Sequence, residues 1–63
     1  MKRSNLNEGT REEILAELGA FHRDRHAQGS TDKAEIYKAA AELIASGADE
    51  VRVFRSIYRV VEN

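Results

Sequence analysis

The sequence predicts an all-α fold: a single compact three-helix domain over residues 10–63, with helices over about 10–28, 31–46 and 49–62. Three observations predict it. Apolar residues recur at helical spacing in three successive segments. The first two segments open on capping residues and close on Gly29 and Gly47. No proline interrupts any of them.

The opening "MKRSNLNEG" has few apolar residues, and residues 1–9 are expected to form a mobile arm. The first helix starts at "TREE". Thr10 can cap the first turn while Glu13 reaches back to it, the capping-box pattern. Glu12 and Glu13 suit the positive end of the helix dipole. Ile14, Leu15, Leu18, Phe21 and His22 then follow the i, i+3, i+4, i+7 spacing. Gly19 lies inside this helix at a cost of about 1 kcal/mol relative to Ala. A close approach by another backbone, or a bend, would justify it. Gly29 can take the left-handed conformation that ends a helix.

Ser30, Thr31 or Asp32 can cap the second helix, and Asp32 with Glu35 makes a weaker box. The short link makes the two helices antiparallel neighbours. Ile36, Tyr37, Ala40, Leu43 and Ile44 form the inner stripe, and Gly47 ends the segment.

The last segment, "EVRVFRSIYRVVEN", is ambiguous. Its Val, Ile, Phe and Tyr content favours a strand. As one continuous strand, however, both faces would mix arginines with apolar groups, so neither could be buried cleanly. As a helix, Arg52, Arg55, Ser56, Arg59, Glu62 and Asn63 share one polar arc, and Val51, Val53, Phe54, Ile57, Tyr58, Val60 and Val61 fill the remainder. The helix sorts better and is the expectation. The alternative is two helices plus a C-terminal strand or hairpin.

A 63-residue chain buries only about 60% of the surface its unfolded form exposes. Domains of this size usually need reinforcement from disulfides, a metal, self-association or very regular packing. There is no cysteine, so disulfides, thiol catalysis and thiolate metal sites are excluded. No apolar run is long enough for a membrane span or a signal-peptide core, so no membrane partner is expected and the cytoplasm is the expected location. The formal net charge is −1, without the basic excess usual in nucleic-acid binders.

His22 and His26, four residues apart, could offer two metal ligands, but nothing nearby completes a set, so no metal is expected. An enclosed pocket with a nucleophile, base and orienting group is not expected from three short helices. No catalytic residue, cofactor or small-molecule substrate is therefore assigned, and the chain is expected not to be an enzyme.

Two binding functions remain. The apolar arc of the expected third helix is wider than its neighbours need, and a contiguous apolar patch commonly marks a partner site. The first expectation is a small regulatory module acting through a protein–protein surface that includes Val53, Tyr58 and Val60. Its partner would be a second copy in a homodimer, or a larger protein. The alternative is DNA binding through Arg52, Arg55 and Arg59, set along one side of the third helix. "ELIASGADEVRVFRSIY" loosely resembles a helix-turn-helix, with Gly47 in the turn and Val53 anchoring the helix that follows. Lys2 and Arg3 would then touch phosphate from the arm. As a solvated face, the same arginines would pair with Glu62 and other acids.

Overall fold

The computed structural model describes residues 5–62. Their order is β1 (Asn5–Gly9), α1 (Arg11–Ala27), α2 (Thr31–Ala45), β2 (Glu50–Val53) and β3 (Ser56–Val60). The fold is α+β, not a three-helix bundle. The expected helix over 49–62 is replaced by a β-hairpin, the alternative arrangement. Residues 5–9 of the expected arm form a strand, while Lys2 and Arg3 lie outside the described residues. The three strands make a mixed sheet in the order β1-β3-β2, with β1 parallel and β2 antiparallel to the central β3. Both helices pack on one face of it.

The helical reading of the tail fails for a definite reason. Side chains alternate along a strand, but the two-residue connection Phe54–Arg55 shifts that alternation by one. Val51 pairs with Tyr58, and Val53 with Ser56, so each pair shares a face. Val51, Val53 and Tyr58 are buried beneath the helices, and Val60 is half-buried against them. Glu50, Arg52, Ile57 and Arg59 occupy the opposite face. Inward positions at 51, 53, 58 and 60, interrupted by a turn, imitate helical spacing.

β1 has little apolar content of its own and is held by its backbone. Asn5 N–H donates to the Arg55 carbonyl at 2.8 Å, and Val61 N–H donates to the Gly9 carbonyl at 2.8 Å. Gly9 leaves room for the first turn of α1. A Cβ there would lie 2.8 Å from Glu13 Oε1 and 3.3 Å from Glu13 Cβ.

The capping box of α1 is complete: Glu13 N–H donates to Thr10 Oγ1 at 3.2 Å, and Thr10 N–H donates to Glu13 Oε1 at 2.8 Å. At α2, Ser30 is the cap residue but its side chain makes no capping bond. Both helices end in a Schellman motif. Ser30 N–H reaches the Arg25 carbonyl and Ala48 N–H the Leu43 carbonyl, with Gly29 (φ 81°) and Gly47 (φ 118°) supplying the left-handed residue.

The core joins Ile14 and Leu18 of α1, Tyr37, Ala40 and Ile44 of α2, and Val51, Val53 and Tyr58 of the hairpin. Full burial of each large aliphatic group contributes about 1.5–3 kcal/mol. Burial also pushes the Tyr58 phenol pKa above its ordinary value, reinforced by the neighbouring Tyr37 and Glu17. The expected inner stripe of α2 splits: Tyr37, Ala40 and Ile44 face the core, whereas Ile36 and Leu43 are 43% and 56% exposed.

Gly19 is not a point of close approach, because a Cβ there would meet only Arg23 Nη1 at 3.7 Å. Gly19→Ala is therefore expected to stabilise the domain by about 1 kcal/mol through helix propensity alone. Thermal unfolding would show this as a rise of roughly 4–8 °C. A fall would mean the helix needs the glycine.

Candidate functional site

Two surfaces stand out, one along the β2 edge of the β2–β3 hairpin and one at its tip. The first is the edge of β2, which among the described residues pairs with β3 on one side only. Val60 N–H donates to the Asp49 carbonyl at 2.7 Å, which fixes the alternation of the antiparallel ladder. Asp49, Val51 and Val53 turn their backbone groups toward β3, so Glu50 and Arg52 turn theirs outward. Beside this edge runs an apolar groove of about 450 Å³, lined by Ile36, Ala39, Ala40 and Leu43 of α2 and by Glu50, Val51 and Arg52 of β2.

The second is a cleft of about 370 Å³ at the hairpin tip, lined by Arg25, Lys33, Tyr37, Phe54, Arg55 and Ser56. Two aromatic rings, Tyr37 and Phe54, line it, and a third, Phe21, packs on Tyr37. Phe21 stacks on Tyr37 with centroids 5.2 Å apart, and Tyr37 meets Phe54 at 5.6 Å in a tilted arrangement. The Arg25 guanidinium lies 6.0 Å from the Tyr37 ring centre and is held by Asp24 at 2.7 Å.

The arginines expected to form one stripe are dispersed. Arg59 lies on the outer sheet face between Glu50 at 2.9 Å and Glu8 at 3.6 Å, and these two carboxylates hold its pKa up. This row ties all three strands together through cross-strand charge pairs. Arg52 shares the outer face in the row Arg52, Ile57, Leu6. Arg55 sits in the turn and lines the cleft. With residues 50–60 folded as a β-hairpin, the helix-turn-helix reading of this segment has no recognition helix. Of the expected partner-contact residues, Val53 and Tyr58 are in the core and Val60 borders it.

The two histidine rings are 6.1 Å apart. His22 Nδ1 lies 2.9 Å from the Ala34 carbonyl, and since a carbonyl only accepts, Nδ1 carries the proton. His22 thereby fastens α1 to the first turns of α2. No group of three or more metal-ligating side chains converges among the described residues. None of their helices is long and apolar enough to cross a membrane.

Sequence reasoning places Tyr37 on the inner stripe of the second helix and assigns Lys33 no role. Phe21 with Arg25, and Lys33 with Tyr37, are each four residues apart on helices that pack antiparallel. That double i, i+4 pairing of a ring with a cation is the signal available for the cleft. No family model, curated protein or solved structure matches the chain, so these surfaces are read from their own chemistry.

Proposed function

We propose that the chain is a non-enzymatic binding module that acts as a homodimer, two copies joined edge to edge through β2 into one six-stranded sheet. The observation that carries this reading is the edge position of β2 in the sheet, beside an apolar groove. A two-fold axis through Val51 places Glu50 opposite Arg52 of the second copy, and Arg52 opposite Glu50. In that register the outward-turned backbone groups of the two copies fall opposite each other, with the alternation an antiparallel pair requires. Opposite charges also face each other twice, and like charges nowhere. The same axis sets the two α2 helices side by side, so that Ile36 and Leu43 cover their counterparts. Isologous contact of this kind is the commonest form of self-association, and it would reinforce a small core.

Sedimentation at tens of micromolar is the test. The wild type is expected to be a dimer. Arg52→Pro is expected to be a folded monomer, since its N–H points away from β3 and an edge position tolerates proline. Arg52→Glu should also weaken the dimer by opposing two carboxylates, and Glu50→Arg added to it should restore association. A wild type that stays monomeric at millimolar concentration sinks the homodimer. If a larger protein instead supplies the pairing strand, Arg52→Pro still abolishes that capture.

A further inference from the structure

We infer that the cleft at the hairpin tip is a nucleotide site: it holds one phosphate-linked base, as presented by single-stranded nucleic acid. The cleft brings together chemistry from three elements. Arg25 comes from α1, Lys33 from the first turn of α2, and Arg55 from the hairpin turn. Asp24 engages Arg25 from outside the lining. Among the described residues, Lys33 and Arg55 have no ion-pair partner. With Arg25 already met by Asp24, Lys33 and Arg55 are the two cations left for an anion.

The aromatic side specifies what the anion is attached to. Phe54 is half-exposed, and its φ is 55°. A two-residue hairpin turn normally uses Gly, Asn or Asp at such a position, because a side chain there is strained. A bulky aromatic residue is therefore the wrong choice for the turn alone. Strained backbone of this kind is found where a side chain must be aimed. Here it holds the Phe54 ring against Tyr37, at the wall of the cleft, with the Arg55 cation next in the chain.

A flat face beside a cationic pocket is how proteins hold unpaired bases: the ring stacks and the cations take the phosphate. A duplex does not offer its base faces, so a single strand is the form that fits. The volume suits one nucleotide unit. Because the chain carries a net charge of −1, affinity depends on these local groups rather than on long-range attraction.

Fluorescence anisotropy with a labelled oligothymidylate tests the assignment. Lys33 and Arg55 on the two phosphates flanking one base of a single strand give a log–log salt slope of about −1.4, so affinity should fall roughly sevenfold between 50 and 200 mM salt. Arg55→Gln should weaken binding and flatten the slope by about 0.7. Phe54→Gly is the decisive variant. It relieves the strain at φ 55°, so thermal stability should hold or rise, yet loss of the stacking face should cost about tenfold in affinity.

Free thymidine monophosphate used as a competitor distinguishes the source. Displacement at similar affinity assigns the same site to mononucleotides, and weak displacement assigns it to a strand. Absence of oligonucleotide binding at 50 mM salt overturns the inference. So does a Phe54→Gly protein that binds as the wild type does, or competition by inorganic phosphate as effective as that by the oligonucleotide.

Discussion

Ile44→Ala is expected to lower stability by about 3–4 kcal/mol and leave much of the chain unfolded at 37 °C. Ile44 is fully buried and belongs to the cluster that joins α2 to α1 and to the hairpin. Removing three carbons there loses their transfer free energy and leaves a cavity that rigid elements cannot close, a combined loss of about 2–5 kcal/mol. A single small core without disulfides supplies only about 3–5 kcal/mol in total. The variant therefore consumes most of the margin.

The neighbouring apolar residues of α2 provide the contrast. Ile36→Ala and Leu43→Ala should each change the stability of the monomer by less than about 1 kcal/mol, since both residues are about half exposed and outside the core. Urea denaturation followed by circular dichroism separates the three variants. Equal losses at positions 36 and 44 would contradict the assignment of the core face. The comparison also serves the proposed dimer: trimming Leu43 should weaken self-association at little cost to folding.

That contrast shows how far local sequence reaches. The two helices were legible because their signals are local. Thr10 and Glu13 lie within one turn of each other, Gly29 and Gly47 stand where a left-handed residue is needed, and Ile14 with Leu18, like Ala40 with Ile44, repeats at helical spacing. The orientation of α2 was only half legible. Periodicity selects an apolar stripe of five residues, yet the sheet covers one flank and leaves Ile36 and Leu43 out. Nothing within α2 records where the strand beside it ends.

The hairpin was hidden by its turn. Had Asn-Gly stood at 54–55, the break in alternation would have been visible. Phe-Arg carries no such mark, and across it the inward residues fall into a helix-like spacing. β1 was hidden differently. "NLNEG" has one large apolar residue, Leu6, and it faces away from the helices. The strand exists because β3 offers it a ladder some fifty positions along the chain, and local propensity contains no trace of that. The cleft inherits both difficulties. Its helical members were open to pairing arguments, but Phe54 and Arg55 come to Tyr37 only once the tail folds back as a hairpin.

Arg11→Ala is expected to lower stability by about 2 kcal/mol, although Arg11 lies at the surface end of α1. Its Nη1 donates to the Ile44 carbonyl at 2.7 Å and to the Ala48 carbonyl at 2.8 Å, and its Nη2 meets Asp49 Oδ1 at 2.8 Å. The guanidinium thus gathers the C-terminal end of α2 and the loop leading into β2. A helix C-terminus leaves carbonyls without intrahelical partners, and a cation there is also favoured by the dipole.

Two effects could account for the loss, and their sizes differ. The Asp49 carboxylate is 78% exposed, so its ion pair is worth at most about 1 kcal/mol and is screened by salt. The two part-buried carbonyl bonds have a charged donor and are worth about 1.5–3 kcal/mol each in favourable settings. The carbonyls should dominate. Asp49→Ala is accordingly expected to cost well under half as much as Arg11→Ala. Arg11→Lys should recover only part of the loss, because an ammonium lacks the planar fork that spans several acceptors. Thermal unfolding should fall by roughly 10–15 °C for Arg11→Ala, with little dependence on added salt. If Asp49→Ala matches that fall, or if high salt abolishes the difference between wild type and variant, the exposed ion pair rather than the carbonyl grip holds α2 to the hairpin.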